Sequence, residues 1–253
     1  MNALIFSLLF GVFGWLYSVA KANVNIVDSM WSLFFVINAL CFAHFDSLVG
    51  PNQTIILSLV VIWAIRLTAY LCIRNARKPE DSRYQDIRRK YSPHFAVKSL
   101  FIIFVFQAVI ALIISYPLYY IFNPMNDSTI QDIVIPISYL MIALGIVYET
   151  IADWQLYQFK KTKQPGEVCR VGLWGYSRHP NYFGELLITW GIFINALMYG
   201  HIYILIAPLL MTYFLFKFSG AGLMEETIIH RKPHYKDYIQ STNSIFPWPP
   251  KKY

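Results

Sequence analysis

Residues Gly172–Glu185 read GLWGYSRHPNYFGE and bring a cation, an imidazole, an amide, a phenol and a carboxylate to the edge of an apolar run. Proline suits the first turn of a helix, so we expect a helix that begins at Pro180. That helix places Asn181 and Glu185 on one face. A carboxylate is costly among lipid-facing residues, so Glu185 is expected to point into a helix bundle or a wet cavity. The stretch therefore predicts a polar site inside a bundle of membrane helices.

The composition of the whole chain also indicates a membrane protein. Of the 253 residues, 57% are hydrophobic and 14% are charged, against about 25% charged residues in soluble domains. The net charge of +7 comes from cations in loops between apolar runs, which is typical of membrane topology rather than of a nucleic-acid-binding face. We therefore expect one integral-membrane domain over residues 1–253 and no nucleic-acid partner.

Seven apolar stretches approach the ~20 residues needed to cross a bilayer. They lie at about residues 1–20, 28–45, 54–73, 99–122, 133–156, 182–199 and 201–218. Lysine and arginine concentrate after the third and fifth stretches and in the C-terminal tail, so these segments are expected to be cytoplasmic. The sequence thus predicts an all-α, polytopic bundle of seven transmembrane helices with the N-terminus outside and the C-terminus in the cytoplasm.

Charged residues within or at the ends of these stretches gather on the predicted cytoplasmic side. They are Asp28, Arg66, Glu149, Asp153 and Glu185. Intramembrane charges mark polar cavities, so we expect a chamber that opens to the cytoplasm. Arginine and lysine at its mouth match phosphate oxygens, and Glu149 and Asp153 suit ribose hydroxyls or an amine. A large anionic cofactor and a lipid-like substrate are predicted.

Motifs of soluble cofactor sites and of metal sites are not expected to operate here. Gly172–Gly175 is neither the glycine fingerprint of a dinucleotide-binding fold nor a P-loop. His179 has no histidine at helical spacing, and His230 and His234 lack the glutamate of a zinc-binding helix motif. We predict no metal.

One set of motifs runs through most of the chain. It comprises Asn25–Trp31, Trp63–Tyr84, Gly172-Leu-Trp, Ser177–Glu185, Tyr235, Tyr238 and the terminal Phe246-Pro-Trp-Pro. The set resembles the steroid 5-alpha-reductase family in its bacterial DUF1295 branch, most specifically over residues 149–250. The resemblance implies a seven-span membrane reductase that uses NADPH to reduce the C4–C5 double bond of a 3-oxo-Δ4-steroid or a similar enone lipid. We also expect a monomer, and the compact chain with its short basic loops favours a bacterial inner membrane.

The resemblance also implies NADPH contacts at Asp153, Lys160, Asn181, Tyr182 and Glu185. The full set of predicted cofactor-binding residues adds Arg66, Arg74, Arg83, Tyr84, Glu149, Arg178, His179, Glu225, Tyr235 and Tyr238. Two departures affect this set. Glu149 stands where the family has asparagine, and Ala221 and Glu225 stand where steroid reductases have arginine and histidine. Arg66, Arg74 or Arg178 is expected to contact the phosphates instead.

Enone reduction needs a hydrogen-bond donor at the carbonyl oxygen, where negative charge develops when hydride is added to the β-carbon. A phenol or a protonated carboxylic acid in an apolar setting supplies such a donor. Asp28 is the leading candidate for this catalytic role, and Trp63 and Tyr70 are the alternatives.

Two other classes of protein stay open. Arg178–Gly184, RHPNYFG, also resembles isoprenylcysteine and phospholipid methyltransferases, which use S-adenosylmethionine. A membrane scaffold that binds a steroid or lipid without chemistry predicts no nucleotide affinity. The three hypotheses therefore predict different ligands. The reductase binds NADPH, the methyltransferase binds S-adenosylmethionine, and the scaffold binds neither nucleotide.

Overall fold

The computed structural model describes residues 2–43, 50–76, 78–124, 131–164, 166–219, 229 and 235–251. Within these ranges the secondary structure is helical, apart from an isolated bridge between Ser177 and Asn243. The all-α prediction is confirmed for this part of the chain. The chain divides into two compact units, Met1–Asp127 and Ser128–Tyr253. A single domain over residues 1–253 stays a prediction.

The first unit is built from apolar helices and one short polar helix. They are α1 (Asn2–Lys21), α2 (Ile26–Phe42), α3 (Pro51–Asn75), the polar α4 (Ser82–Lys90), α5 (Phe95–Ser99), α6 (Phe106–Ser115) and α7 (Pro117–Phe122). Leu100–Val105 is π-helical and joins α5 to α6. Helix α2 packs against α1, α3 and α6. Its Phe34 is fully buried, as are Trp63 and Phe104.

A polar cluster lies inside the apolar core of the first unit. Ser7 Oγ donates to Asn38 Oδ1 at 2.7 Å, and Asn38 Nδ2 donates to Ser115 Oγ at 2.8 Å. All three residues are buried. The cluster joins α1, α2 and α6 by side-chain hydrogen bonds, which contribute about 0.6 kcal/mol each in membrane helix bundles.

The second unit contains a long helix, two shorter apolar helices and a C-terminal helix. They are α8 (Gln131–Thr162), α9 (Pro180–Leu197), α10 (Ile206–Phe214) and α11 (Tyr235–Ser241), with 3₁₀ turns at Gly172–Gly175 and Ile202–Leu205 and a π-helical segment at Leu215–Ser219. The 32 residues of α8 extend about 48 Å at 1.5 Å per residue. Helix α8 is therefore longer than a hydrocarbon core, which is ~30 Å thick, and its last turn is polar, with Lys160 and Lys161.

Helices α8 and α9 approach each other closely because glycines lie at their contact. A Cβ built on Gly184 would lie 2.7 Å from the Gly145 carbonyl oxygen and 2.7 Å from the Glu149 Cβ. A Cβ on Gly145 would lie 2.7 Å from the Gly184 carbonyl oxygen. Side chains do not fit at these positions. The close packing places Glu149 against the turn of α9 that contains Glu185.

Several helices have the length and composition of membrane spans. Among the described residues, Asn2–Lys21, Pro51–Asn75, Phe95–Ser115 and Ile133–Thr162 are long and apolar enough to cross a bilayer, and Ile26–Phe42 and Ile202–Lys217 are shorter apolar helices. Each of the seven predicted stretches overlaps an apolar helix, although the fourth breaks where Pro117 begins α7. The structure is thus compatible with a membrane protein, and the seven crossings and their orientation stay predictions.

Candidate functional site

The first unit holds a polar cluster around Asp28, in the first turn of α2. Tyr84 Oη donates to Asp28 Oδ1 at 2.5 Å, and Arg83 Nη2 donates to Asp28 Oδ2 at 3.3 Å. Arg74 Nη2, at the end of α3, lies 3.8 Å from the same Oδ2. Four predicted site residues from three helices therefore meet at one carboxylate.

The surroundings of Tyr84 favour its protonated form. The residue is 7% exposed. Burial and the neighbouring Asp28 carboxylate raise the pKa of Tyr84 well above its ordinary value, although Arg83 opposes the shift. Burial alone would lower the pKa of Arg83, but the Asp28 carboxylate and its other neighbours raise it. The cluster thus combines a phenol that keeps its proton with a guanidinium that keeps its charge.

A clamp between two connecting segments holds α4 against the start of α2. Asn25 Nδ2 donates to the Pro79 carbonyl oxygen at 3.1 Å, and Asn25 Oδ1 accepts from the Asp81 N–H at 2.8 Å. Glu80 Oε1 accepts from the Val24 N–H at 3.0 Å. Because Asn25 lies one turn before Asp28, this clamp sets the position of Tyr84 relative to the carboxylate.

Two ion pairs extend the clamp into α4. Asp81 Oδ1 accepts from the N–H of Arg83 at 3.0 Å and from its Nε at 3.1 Å, so Asp81 caps the helix and orients the guanidinium. Arg88 donates from Nε and Nη2 to the two oxygens of Glu80 at 2.8 and 2.7 Å. Burial alone would raise the pKa of Glu80, but the Arg88 and Val24 hydrogen bonds lower it. The pKa of Asp81 is also lowered, because Arg83 outweighs burial.

The other predicted residues of the first unit lie on α3. Trp63 is 1% exposed and packs edge-on against Phe35, with 5.2 Å between ring centroids. Tyr70 lies nearer the cluster, since its ring centroid is 5.9 Å from the Arg74 guanidinium carbon. Arg66 is half-buried, with its Nε and Nη2 atoms inside the protein. Of the two alternative donors, Tyr70 thus contacts a residue of the Asp28 cluster, whereas Trp63 packs in the apolar core.

In the second unit, the C-terminal segment holds the loop that leads into α9. Tyr238 Oη lies 2.5 Å from the Trp174 carbonyl oxygen and 3.1 Å from that of Ser177. Ser177 Oγ contacts the carbonyl oxygens of Ser244 at 3.0 Å and Ile245 at 2.8 Å. Burial raises the pKa of Tyr238, so its hydroxyl remains a donor. These bonds fix the loop immediately before His179.

Arg178 is part of the same framework. Its Nη1 donates to the carbonyl oxygens of Ile239 at 3.1 Å and Thr242 at 2.5 Å. Its backbone N–H donates to the Asn243 carbonyl oxygen at 2.8 Å. A cation at the end of α11 satisfies carbonyl groups that have no partner within the helix. Arg178 therefore links the loop to α11, and its contact with a cofactor phosphate stays a prediction.

Four titratable side chains predicted for the site are buried on α8 and at the start of α9. Glu149 is 2% exposed, Asp153 3%, His179 5% and Glu185 7%. The His179 ring stacks on Tyr182 at 5.3 Å between centroids. Buried ionisable groups in an apolar helix pair are costly and mark functional sites. The second unit therefore has its own candidate site.

The remaining predicted cofactor residues differ in their placement. Asn181 is half-buried in the first turn of α9, and Lys160 is exposed near the end of α8. Tyr235 is buried on α11 and its ring packs against Tyr238, 5.6 Å away. Glu225 lies outside the described residues, as do Ala221, His230 and His234. Among the residues that are described, no group of three or more His, Cys, Asp or Glu side chains could hold a metal ion.

Three residues that organise these sites lie within the sequence motifs but were not among the predicted site residues. They are Asn25, Glu80 and Ser177. Asn25 and Glu80 flank the starts of helices, where polar residues are common. That signal predicts local caps, but it does not predict that Asn25 binds backbone 54 to 56 residues further along the chain.

The fold and the two buried polar sites define a class: an all-helical protein, compatible with a membrane, that buries charged side chains in each of its two units. Residues 14–242 match the family described as "Protein of unknown function (DUF1295)", and the chain belongs to that family. No curated protein and no solved structure matched the chain. The DUF1295 part of the resemblance is therefore confirmed.

Proposed function

We propose that this protein is an integral-membrane reductase that uses NADPH to reduce the carbon–carbon double bond of an enone lipid, such as the C4–C5 bond of a 3-oxo-Δ4-steroid. We further propose seven membrane crossings, with the N-terminus outside and the active site open to the cytoplasm of a bacterial inner membrane, in a monomer. The observation that carries the proposal is the arrangement of Tyr84, Asp28 and Arg83. A buried phenol beside a carboxylate and a guanidinium is a donor suited to an enone oxygen.

Tyr84 takes the role of hydrogen-bond donor in this mechanism. Its raised pKa keeps the proton on the phenol. Asp28 Oδ1 accepts that single proton in the structure, and in the mechanism the hydroxyl turns it to the enone oxygen when the substrate binds, while Arg83 keeps its contact with Asp28. NADPH, when bound, supplies the hydride. A donor aimed at the oxygen that becomes negative accelerates such a reaction by about 10²–10³. The sequence analysis put Asp28 first as the donor. We now propose Tyr84 as the donor and Asp28 as the residue that positions it.

The residues of α8 and α9 fit the polar groups of a dinucleotide. Glu149, Asp153 and Glu185 offer buried carboxylates, which accept hydrogen bonds from ribose hydroxyls or from an amide. Lys160 offers an exposed cation for a phosphate at the polar end of α8. We propose that this set, with Asn181 and Tyr182 in the first turn of α9, holds NADPH.

The test is turnover of the purified protein in lipid nanodiscs with NADPH and progesterone or testosterone. Absorbance follows NADPH, and mass spectrometry identifies the 5α-reduced product. We expect Tyr84→Phe to lower kcat by about 10²–10³ while NADPH affinity stays within twofold, because the phenol acts in the transition state. Tyr17→Phe is the matched control, because Tyr17 is an exposed tyrosine of the same unit. Full turnover by Tyr84→Phe would refute the donor assignment.

A second candidate is a membrane methyltransferase that uses S-adenosylmethionine. The buried carboxylates of α8 and α9 favour it as well, since the ribose of this cofactor offers the same hydroxyl groups. Thermal-shift measurements with NADPH and with S-adenosylmethionine distinguish the two candidates. Stabilisation by S-adenosylmethionine alone would replace the reductase by the methyltransferase. Binding of an enone lipid with neither nucleotide would favour a scaffold.

A further inference from the structure

A basic surface of the first unit lies apart from the Asp28 cluster, where α4 leads into α5. We propose that this surface binds the anionic headgroup of a phospholipid. Lys90 and Lys98 are its phosphate ligands, and the apolar side chains beside Lys98 contact the acyl chains. The proposal is independent of the reductase assignment, because it concerns residues that the proposed chemistry does not use.

Trp15 and the start of α5 mark the depth of this surface in a bilayer. The segment Phe95–Ser115 has 21 residues and is apolar enough to cross a bilayer. Trp15 Nε1 donates to the Ala96 carbonyl oxygen at 2.6 Å. Tryptophan is enriched at membrane–water interfaces, where the ring is apolar and the N–H finds a polar partner. Lys98, one turn into the segment, therefore lies at the level of lipid headgroups.

Two ammonium groups are held at one residue of this surface. Lys98 Nζ donates to the Tyr91 carbonyl oxygen at 3.1 Å. Lys90 Nζ lies 5.6 Å from the centroid of the Tyr91 ring. Both lysines are exposed. The pair forms a positive surface at headgroup depth, and positive side chains in that layer attract anionic lipids.

The nearby carboxylates are engaged by other cations. Glu80 Oε1 pairs with Arg88 Nη2 at 2.7 Å, and Asp86 pairs with Arg89. These contacts leave the charge of the two lysines available to an external anion. The phosphodiester of a lipid headgroup can serve as that anion.

The apolar side chains beside Lys98 select a lipid rather than a soluble phosphate. Val97 is 59% exposed and Phe101 is 61% exposed. They lie four residues apart and flank Lys98 along the helical segment. An acyl chain can cover them while the phosphate meets the lysines, whereas inorganic phosphate uses the lysines alone. The occupant is thus an anionic phospholipid.

The experiment compares nanodiscs of phosphatidylcholine with nanodiscs that also contain phosphatidylglycerol. Native mass spectrometry counts retained phosphatidylglycerol, and thermal unfolding gives the stabilisation. For the double variant Lys90→Gln/Lys98→Gln we expect retention to fall by about 25-fold, since a lysine near a membrane surface is worth about fivefold. The stabilisation by phosphatidylglycerol should fall with it. Inorganic phosphate added to phosphatidylcholine nanodiscs should not stabilise the wild type.

The matched control is Lys161→Gln/Lys163→Gln, which removes the same charge from exposed lysines. Lys161 also lies over a tyrosine ring, at 4.3 Å from Tyr157, but at the end of α8, beyond the apolar layer. Equal losses in both double variants, or a stabilisation by inorganic phosphate equal to that by the lipid, would overturn the proposal. If Lys90→Gln/Lys98→Gln does not fold, Lys98→Gln and the charge-conserving Lys90→Arg/Lys98→Arg give the same comparison. Retention of phosphatidylglycerol should fall about fivefold in Lys98→Gln and should be unchanged in Lys90→Arg/Lys98→Arg.

Discussion

The two buried polar sites are held in different ways. In the first unit, side chains from α2, α3 and α4 converge on Asp28, and ion pairs and the Asn25 clamp set their positions. In the second unit, the site follows from close helix contact at Gly184 and from a loop that the C-terminal segment holds through backbone groups. The first geometry rests on contacts between charged side chains and on the Asn25 amide, whereas the second rests on the absence of side-chain volume and on hydrogen bonds from Ser177, Arg178 and Tyr238 to backbone carbonyl groups.

The two kinds of support make the sites sensitive to different substitutions. A change of one polar atom that conserves volume disturbs the first site, because a polar partner is left without its hydrogen bond. An added methyl group disturbs the second, because the neighbouring backbone has no room to yield.

The largest expected effect is on the α8–α9 contact. Gly184→Ala places a methyl group 2.7 Å from a backbone oxygen, and overpacking of this kind costs about 1–3 kcal/mol. We expect a lower midpoint of thermal unfolding in detergent and weaker nucleotide binding, because Glu149 and Glu185 are displaced. The loss of nucleotide binding would distinguish a functional site from a contact that only stabilises the fold.

Gly11→Ala is the control for that substitution. A Cβ at Gly11 meets its nearest atom at 3.4 Å, which is ordinary contact, and alanine is favoured over glycine in a helix by about 1 kcal/mol. We expect unchanged or higher stability for Gly11→Ala. Equal destabilisation by both substitutions would remove the contrast between the two sites.

An intermediate effect is expected at the clamp of the first unit. Asn25→Ala removes an acceptor from the Asp81 N–H and a donor from the Pro79 carbonyl oxygen. Because both bonds are part-buried and water can replace a lost partner, the cost is about 1 kcal/mol. Turnover should fall at saturating NADPH, since Tyr84 is no longer held at Asp28, while nucleotide affinity is retained. Asn25→Asp keeps the acceptor, so its turnover should lie between that of the wild type and that of Asn25→Ala. A change in NADPH affinity with unchanged turnover would contradict the positioning role.

The sequence predicted the helices better than the contacts between them. Apolar runs locate the helices because lipid-facing and core residues are both hydrophobic. The same runs do not show that α8 extends to Thr162, because its last turns are polar and leave the apolar pattern. The break between α6 and α7 after Ser115 could have been predicted from the sequence, because Pro117 suits the first turn of a new helix.

The candidate sites were predicted in part. The charge pattern identified Asp28, Glu149 and Glu185, because a carboxylate in an apolar run needs a special environment. The pairing of Tyr84 with Asp28 spans 56 residues, and no local pattern encodes such a contact. Arg178 was predicted from its motif as a phosphate ligand, and its bonds to α11 depend on a C-terminal segment whose path the motif does not specify.

The smallest expected effect is the response of the first unit to acid. Glu80 has a lowered pKa because its bonds to Arg88 and Val24 outweigh burial. A carboxyl with a lower pKa in the folded state contributes stability above its unfolded pKa, and that contribution is lost as the pH falls through the folded value. The midpoint of thermal unfolding should therefore fall on acidification from pH 5, and Glu80→Gln should reduce this slope. Asp86→Asn is the control for the loss of a carboxylate, because it removes only an exposed ion pair, and it should leave the midpoint of thermal unfolding close to the wild-type value. An unaltered slope in Glu80→Gln would show that the clamp does not depend on this charge, and the two sites would then differ less than their hydrogen bonds indicate.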